Sequence, residues 1–168
     1  MKQDLIAAEL SATGAQELLA VTSSAHLAYN AENGTPRVIP VGFYWTGTEF
    51  VISTATTSPK VAALKAHPAV ALSIAGGDTP EQARALSVRG RARVEIVDGL
   101  VPEYLAAARK SMGAEAAAEF EKNCRELYDQ MARIAIVPSW VRFYDFGAGR
   151  MPGFLKELAE RLAERKRS

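Results

Sequence analysis

Residues 37–60 read Arg37-Val38-Ile39-Pro40-Val41-Gly42-Phe43-Tyr44-Trp45-Thr46-Gly47-Thr48-Glu49-Phe50-Val51-Ile52-Ser53-Thr54-Ala55-Thr56-Thr57-Ser58-Pro59-Lys60. Two runs rich in β-branched and aromatic residues, 36–45 and 49–54, flank Thr46-Gly47, a turn composition. This pattern predicts two antiparallel strands joined by a tight turn. Pro40 has no N–H to give to a ladder, which predicts an edge or a bulged position. Gly42 either lets a flat ring lie against the backbone or marks a bulge that curves the strand. The second run ends in hydroxyl-bearing residues. There Ser58 can cap a helix whose first turn holds Pro59 and Lys60.

The same reading extends in both directions. Residues 1–22 are predicted helical, with Thr13 as a cap. Ser24–Ala31 alternates like a strand, and Glu32-Asn33-Gly34 signals a hairpin. Together with 36–45 and 49–54 this makes a three-stranded antiparallel meander. Downstream, the helix from Ser58 stops near Ala66, before Pro68. Strands follow at 69–75 and 84–97, helices at 102–112 and 114–130, and a last strand at 133–146. A flexible stretch, 147–153, leads to an amphipathic helix at 154–165 with Phe154, Leu155, Leu158 and Leu162 on one face. Six strands with few, peripheral helices favour a mainly β, antiparallel Greek-key barrel over an open parallel sheet. Residues 1–150 form the barrel domain. Residues 151–168 form a helical extension of it that packs on the barrel or on a partner.

Composition narrows the function classes. With 168 residues and 48% hydrophobic content the chain suits one domain with a sizeable core. Its 20 Lys and Arg against 19 Asp and Glu give no bias toward nucleic acid or lipid. No apolar run is long enough for a transmembrane helix, and no signal peptide is recognisable, so a cytoplasmic protein is expected. The one cysteine, Cys124, sits in a helical stretch and reads as a structural thiol. His26 and His67 form no ligand spacing with Cys124 or with an acidic cluster, and no metal site is expected.

The chemistry concentrates at Thr54–Lys60. A helix N-terminus offers free N–H groups and the positive end of the helix dipole. Thr54, Thr57 and Ser58 add hydroxyls, and Lys60 adds a full charge, so the segment can seat a phosphate. Arg37 can supply a second cation from the neighbouring strand. Arg89, Arg91 and Arg93 alternate along one strand and read as a solvated face. They serve alternatively as a patch for a polyanionic tail. Tyr144 and Arg150, beside the Gly-rich end of the last strand, are candidates for a substrate pocket.

Taken in order, Arg37 to Phe43, the strand to Thr54, and Thr57-Ser58-Pro59-Lys60 resemble the flavin-binding half of the pyridoxamine 5'-phosphate oxidase-like split barrels. His67-Pro68-Ala69 and Val88-Arg89-Gly90 resemble that family's next helix-to-strand entry and strand motif. The similarity is greatest to its flavin/deazaflavin-dependent oxidoreductase branch and spans residues 14–150. It implies a split β-barrel homodimer with FMN, or the deazaflavin coenzyme F-420, at the interface. The backbone of Arg37, Val38, Ile39, Pro40, Val41 and Gly42 would face the ring. Thr54, Thr57, Ser58 and Lys60 would hold the phosphate, and Tyr144 and Arg150 would face a small-molecule substrate. The function implied is an FMN-dependent oxidoreductase. The alternatives are a deazaflavin-dependent reductase and a non-catalytic flavin- or haem-binding barrel. Three departures argue against pyridoxamine phosphate itself as substrate. Ala85 replaces a flavin-contacting Gln, Tyr144 replaces a Trp, and the His that follows the substrate-binding Arg is missing beyond Arg150.

Overall fold

The computed structural model describes residues 1–167. Helices α1 (Gln3–Ser11) and α2 (Thr13–Val21) precede strands β1 (Ser24–Asn30), β2 (Pro36–Gly42), β3 (Tyr44–Trp45) and β4 (Phe50–Ala55). Then come α3 (Pro59–Ala66), β5 (Ala69–Gly76), β6 (Arg84–Asp98), α4 (Pro102–Arg109), α5 (Ala114–Leu127), β7 (Gln130–Asp145) and α6 (Gly153–Arg167). The strands form one antiparallel sheet in the order β2-β1-β5-β6-β7-β4-β3.

β2 and β3 end that order on opposite sides, yet only Phe43 separates them in the chain. The expected strand 36–45 is therefore two strands, which makes seven instead of six. It also replaces the expected meander. The first part pairs with β1, as in Val41↔Ala25, and the second with β4, as in Trp45↔Phe50. Phe43 causes the break. Its ring is fully buried, 6.0 Å from that of Phe50, while its N–H donates to Ser23 O at 3.1 Å. The chain thus crosses from one edge to the other within the core and closes the sheet into a split barrel. Lys110, after α4, braces this corner. Its Nζ donates to Leu19 O (2.7 Å) and Thr22 O (3.2 Å) and lies 4.9 Å from the Phe43 ring centre.

The hairpin at 32–34 forms as a three-residue loop. Only Gly34 takes a positive φ (80°), and Asn33 Oδ1 accepts from Thr35 N instead. The expected Thr13 cap does not form, because Ala12, extended at ψ 134°, occupies the cap position and divides the N-terminal helix in two. A bulge lies between β6 and β7, where Ser139 has no counterpart beside Arg89 and Gly90. A Cβ on Gly90 would stand 2.6 Å from Val137 O, so the two strands approach there only because the residue is glycine.

The barrel core joins Leu27, Phe43, Phe50, Ile52, Leu72, Ile74, Leu86, Ile134 and Phe143 to Leu10, Leu18 and Leu19 of the first helices. A smaller cluster, Val51, Val101 and Met131 with Tyr104 and Tyr128, holds α4 and its neighbours on the outer face. Cys124 is buried in α5 and burial pushes its thiol pKa up, as suits a structural role. Helix α6 has no buried residue: Phe154, Leu158 and Leu162 are 69%, 53% and 49% exposed. Of that apolar face, Leu155 is half-buried. No described helix is long and apolar enough to cross a membrane.

Candidate cofactor site

β4 delivers the hydroxyl-rich turn to the N-terminus of α3. Pro59 occupies the first turn, where its missing N–H costs nothing. Ser58 takes the cap position, but its side chain makes no capping bond. Instead, Lys60 Nζ donates to Ser58 Oγ at 2.9 Å and to Thr54 Oγ1 at 3.1 Å. The expected cap is thus a lysine–hydroxyl cluster. Among the described residues no carboxylate pairs with Lys60, and burial pushes its ammonium pKa below 10.5. Such a group gains from an anion that would restore its charge. A phosphate fits this donor set of one ammonium, two hydroxyls and a helix N-terminus.

Arg37 and Pro59 line the same groove, of about 440 Å³, with Tyr29, Glu32 and Asn33. Arg37 also lines a neighbouring groove of about 500 Å³ that includes Arg89 and Arg91 and no carboxylate. Arg89, Arg91 and Arg93 are exposed, as a solvated face requires; Arg89 rests on Trp140 at 4.5 Å and Arg93 reaches Glu49 at 3.8 Å. Thr57 faces elsewhere, into a groove shared with Asp98 and Asp129. Those two carboxylates disfavour an anion on that side.

β2 is an edge strand, which accounts for Pro40. The bonds Phe43 N to Ser23 O and Ala31 N to Thr35 O fix the alternation of the β1–β2 ladder. Residues 37, 39 and 41 turn their N–H groups toward β1, while those of Val38 and Gly42 point outward. Pro40 falls on the outward set, so its missing donor breaks no ladder bond. Of residues 39–43, Gly42 therefore has the free N–H. A Cβ built there meets nothing nearer than Ser23 O at 3.8 Å, which leaves an open surface over the strand.

Tyr144 and Arg150 stand apart from this cluster. Thr54 pairs with Ala132 on β7, and Tyr144 lies twelve positions farther along the same strand, about 40 Å of extended chain. Arg150 Nη2 donates to Glu9 Oε2 at 2.8 Å and its guanidinium sits 5.3 Å from the Phe143 ring centre. Glu9 also accepts from Arg142 Nη1 (3.1 Å) and from the buried Phe143 N–H (2.7 Å). The sequence reading missed Glu9. The signal was available, since Glu9 shares the face of α1 that buries Ile6 and Leu10, an unusual place for a lone acid. No three His, Cys, Asp or Glu side chains gather as a metal set among the described residues.

A split barrel built from one antiparallel sheet, with a lysine–hydroxyl cluster where β4 leads into α3, defines the class. The chain belongs to the pyridoxamine 5'-phosphate oxidase family, whose family model matches residues 14–144. Among solved structures it is similar to an F420 reductase, at 28% identity and TM-score 0.56, covering 75% of this chain and 94% of that one. A conserved hypothetical protein, Rv2991 from Mycobacterium tuberculosis, shares the fold at 19% identity and TM-score 0.62, covering 90% and 89%. The haem storage protein HutZ from Vibrio cholerae does so at 14% identity and TM-score 0.54, covering 75% and 89%. A search of curated proteins gave no match.

Proposed function

We propose that this chain is an FMN-dependent oxidoreductase that acts on a small molecule, as a cytoplasmic homodimer with the cofactor at the interface. The observation that carries this reading is the cluster of Lys60 Nζ, Thr54 Oγ1 and Ser58 Oγ. It is a half-buried cation with no carboxylate partner among the described residues, and Pro59 beside it shares a groove with Arg37 of the edge strand β2. Lys60, Ser58 and Thr54 would hold the phosphate, with Arg37 closing the rim. The Gly42 N–H and the bare surface above it would carry the ring. Bound there, FMN supplies hydride or electron transfer, and the chain's part is to orient the ring and keep water from it. Tyr144, near the end of β7, and Arg150, just beyond it, stand at the other end of that strand from Ala132, the partner of Thr54. A site that uses both sets draws them from two copies.

A deazaflavin-dependent reductase is the second reading. The F420 reductase similarity favours it, and so does the carboxylate-free groove of Arg37, Arg89 and Arg91, which suits a polyanionic tail. An absorbance spectrum of the purified protein, followed by titration with FMN and then with coenzyme F-420, separates the two. Saturable micromolar FMN binding supports the first reading. Binding of F-420 alone moves the protein to the second. Binding of neither removes both and leaves a barrel used for another ligand. Turnover with a reductant and an electron acceptor then distinguishes an enzyme from a flavin- or haem-binding protein without catalysis.

A further inference from the structure

His26 stands on β1 directly opposite Pro40 of the edge strand β2, and Ser24 stands opposite Gly42. On its other side His26 pairs with Ser73 of β5. Burial fixes which way these residues face. Ala25, Leu27 and Val41 point into the core, so Ser24, His26, Pro40 and Gly42 share the outer face, and all four are exposed. Cβ atoms directly opposite in an antiparallel pair lie about 5 Å apart, and diagonal neighbours about 7–8 Å. His26 is the diagonal neighbour of Gly42. A flat ring laid on the bare surface over Gly42 is therefore within reach of its imidazole.

Little else on that face competes. Among the described residues, His26 is the one titratable group on the outer faces of β2, β1 and β5, where the others are Pro, Gly, Ala, Ser, Val and Asn. The next strand, β6, brings Ser87 to the same row and Arg89 to the row beside it, and Arg89 lies over the Trp140 ring at 4.5 Å. Arg142 closes the row on β7, and it donates to Glu9. The His26 imidazole makes no hydrogen bond or ion pair with a described residue, whereas His67 Nε2 lies 3.2 Å from Glu32 O. His26 thus has no evident part in holding the barrel together.

We propose that His26 borders the flavin ring and tunes it, its imidazolium form stabilising the negative charge that the ring gains on reduction. This rests on the reading of the Gly42 surface as the ring seat, and it adds a side chain to a seat otherwise made of backbone. Charge placed beside the ring is one of the means by which a protein sets a flavin's electronics. Imidazole changes charge between about pH 5 and 8, so the tuning varies with pH.

The test uses the full chain. Its two histidines give two imidazole Cε1–H resonances in proton NMR, and His26→Gln identifies which is which. Riboflavin, which has the ring and no phosphate, should shift the His26 resonance. The midpoint potential of the FMN-loaded protein is then read by dithionite titration. At about pH 6 the wild type should favour reduced over oxidised FMN about tenfold more than His26→Gln does, which is about 30 mV for a two-electron couple. At about pH 8.5 that gap should shrink. His26→Lys keeps a cation at both pH values, so it should restore the potential at the lower one and hold it at the higher. Circular dichroism verifies that the three chains share one fold. An unmoved His26 resonance in a protein that binds riboflavin and FMN would overturn the inference and leave the cofactor reading standing. So would a His26→Gln potential equal to that of the wild type at the lower pH. A protein that binds neither flavin would remove the cofactor reading, and the inference with it.

Discussion

Lys60→Met is the substitution that discriminates best. Methionine keeps the unbranched stem and its packing but removes the ammonium that Thr54 Oγ1 and Ser58 Oγ now accept from. The free protein loses two hydroxyl contacts and is relieved of a desolvated charge, so its stability should change little. Cofactor binding should change much more. A charge-assisted bond from a half-buried ammonium to a phosphate contributes about 2 kcal/mol, which weakens FMN about thirtyfold. Riboflavin has the same ring and no phosphate, so its affinity should not fall. The assay is quenching of flavin fluorescence, with both ligands titrated into both proteins. The gap between FMN and riboflavin affinity should nearly close in the variant. Equal weakening of both ligands would show that Lys60 acts through the fold, and no weakening of either would remove the phosphate assignment.

Gly42→Val places a branched side chain on the open outer surface of an edge strand, so thermal stability should move by no more than about 0.5 kcal/mol. FMN affinity should nonetheless fall about tenfold or more, and unchanged affinity would move the ring off β2. Because burial lowers the Lys60 pKa, FMN binding should weaken as pH rises through that value, below 10.5, while riboflavin binding stays flat over the same range. The ligand-free protein should show the opposite trend. A folded-state lysine pKa below its unfolded one makes stability rise with pH between the two values, and calorimetry at stepped pH checks this. Glu9→Ala strands the buried Phe143 N–H and two arginines, a cost of about 3 kcal/mol, so Tm should drop by about 6–12 °C in a thermal scan.

Local chemistry was legible in the sequence wherever one residue type can meet a requirement alone. Gly34, Gly47, Pro59 and the strand runs around them fall where their composition places them, and Pro40 marks an edge. A barrel was expected, but the strand partners that close it were not legible. Nothing in Val41-Gly42-Phe43-Tyr44 announces that a continuous β run changes partners at Phe43, because the cause is burial against Phe50 and the first helices. The Gly90 and Ser139 bulge escaped for the same reason, since its cause is the backbone of Val137 on another strand. At the candidate site, Thr54, Ser58 and Lys60 share one segment of sequence, and their side chains meet in the structure. The sequence reading assigned Ser58 to a cap because helix rules weigh backbone donors and overlook a competing lysine two residues on. Thr57 reads like its neighbours in sequence, and only the fold turns it toward Asp98 and Asp129.

The order of the strands also constrains how the chain comes off the ribosome. β1, β2, β5 and β6 pair among themselves, so by Asp98 half of the sheet has its partners. β4 does not. Apart from its two-residue pairing with β3, its ladder runs to β7, from Phe50↔Ile136 to Ala55↔Met131, about eighty residues downstream. Until residue 136 is synthesised, Phe50, Val51 and Ile52 leave the β7-facing edge of their strand unpaired and adhesive, held against an unfinished barrel. A nascent chain stalled between α4 and β7 should therefore be a chaperone client, and one released after Asp145 should not.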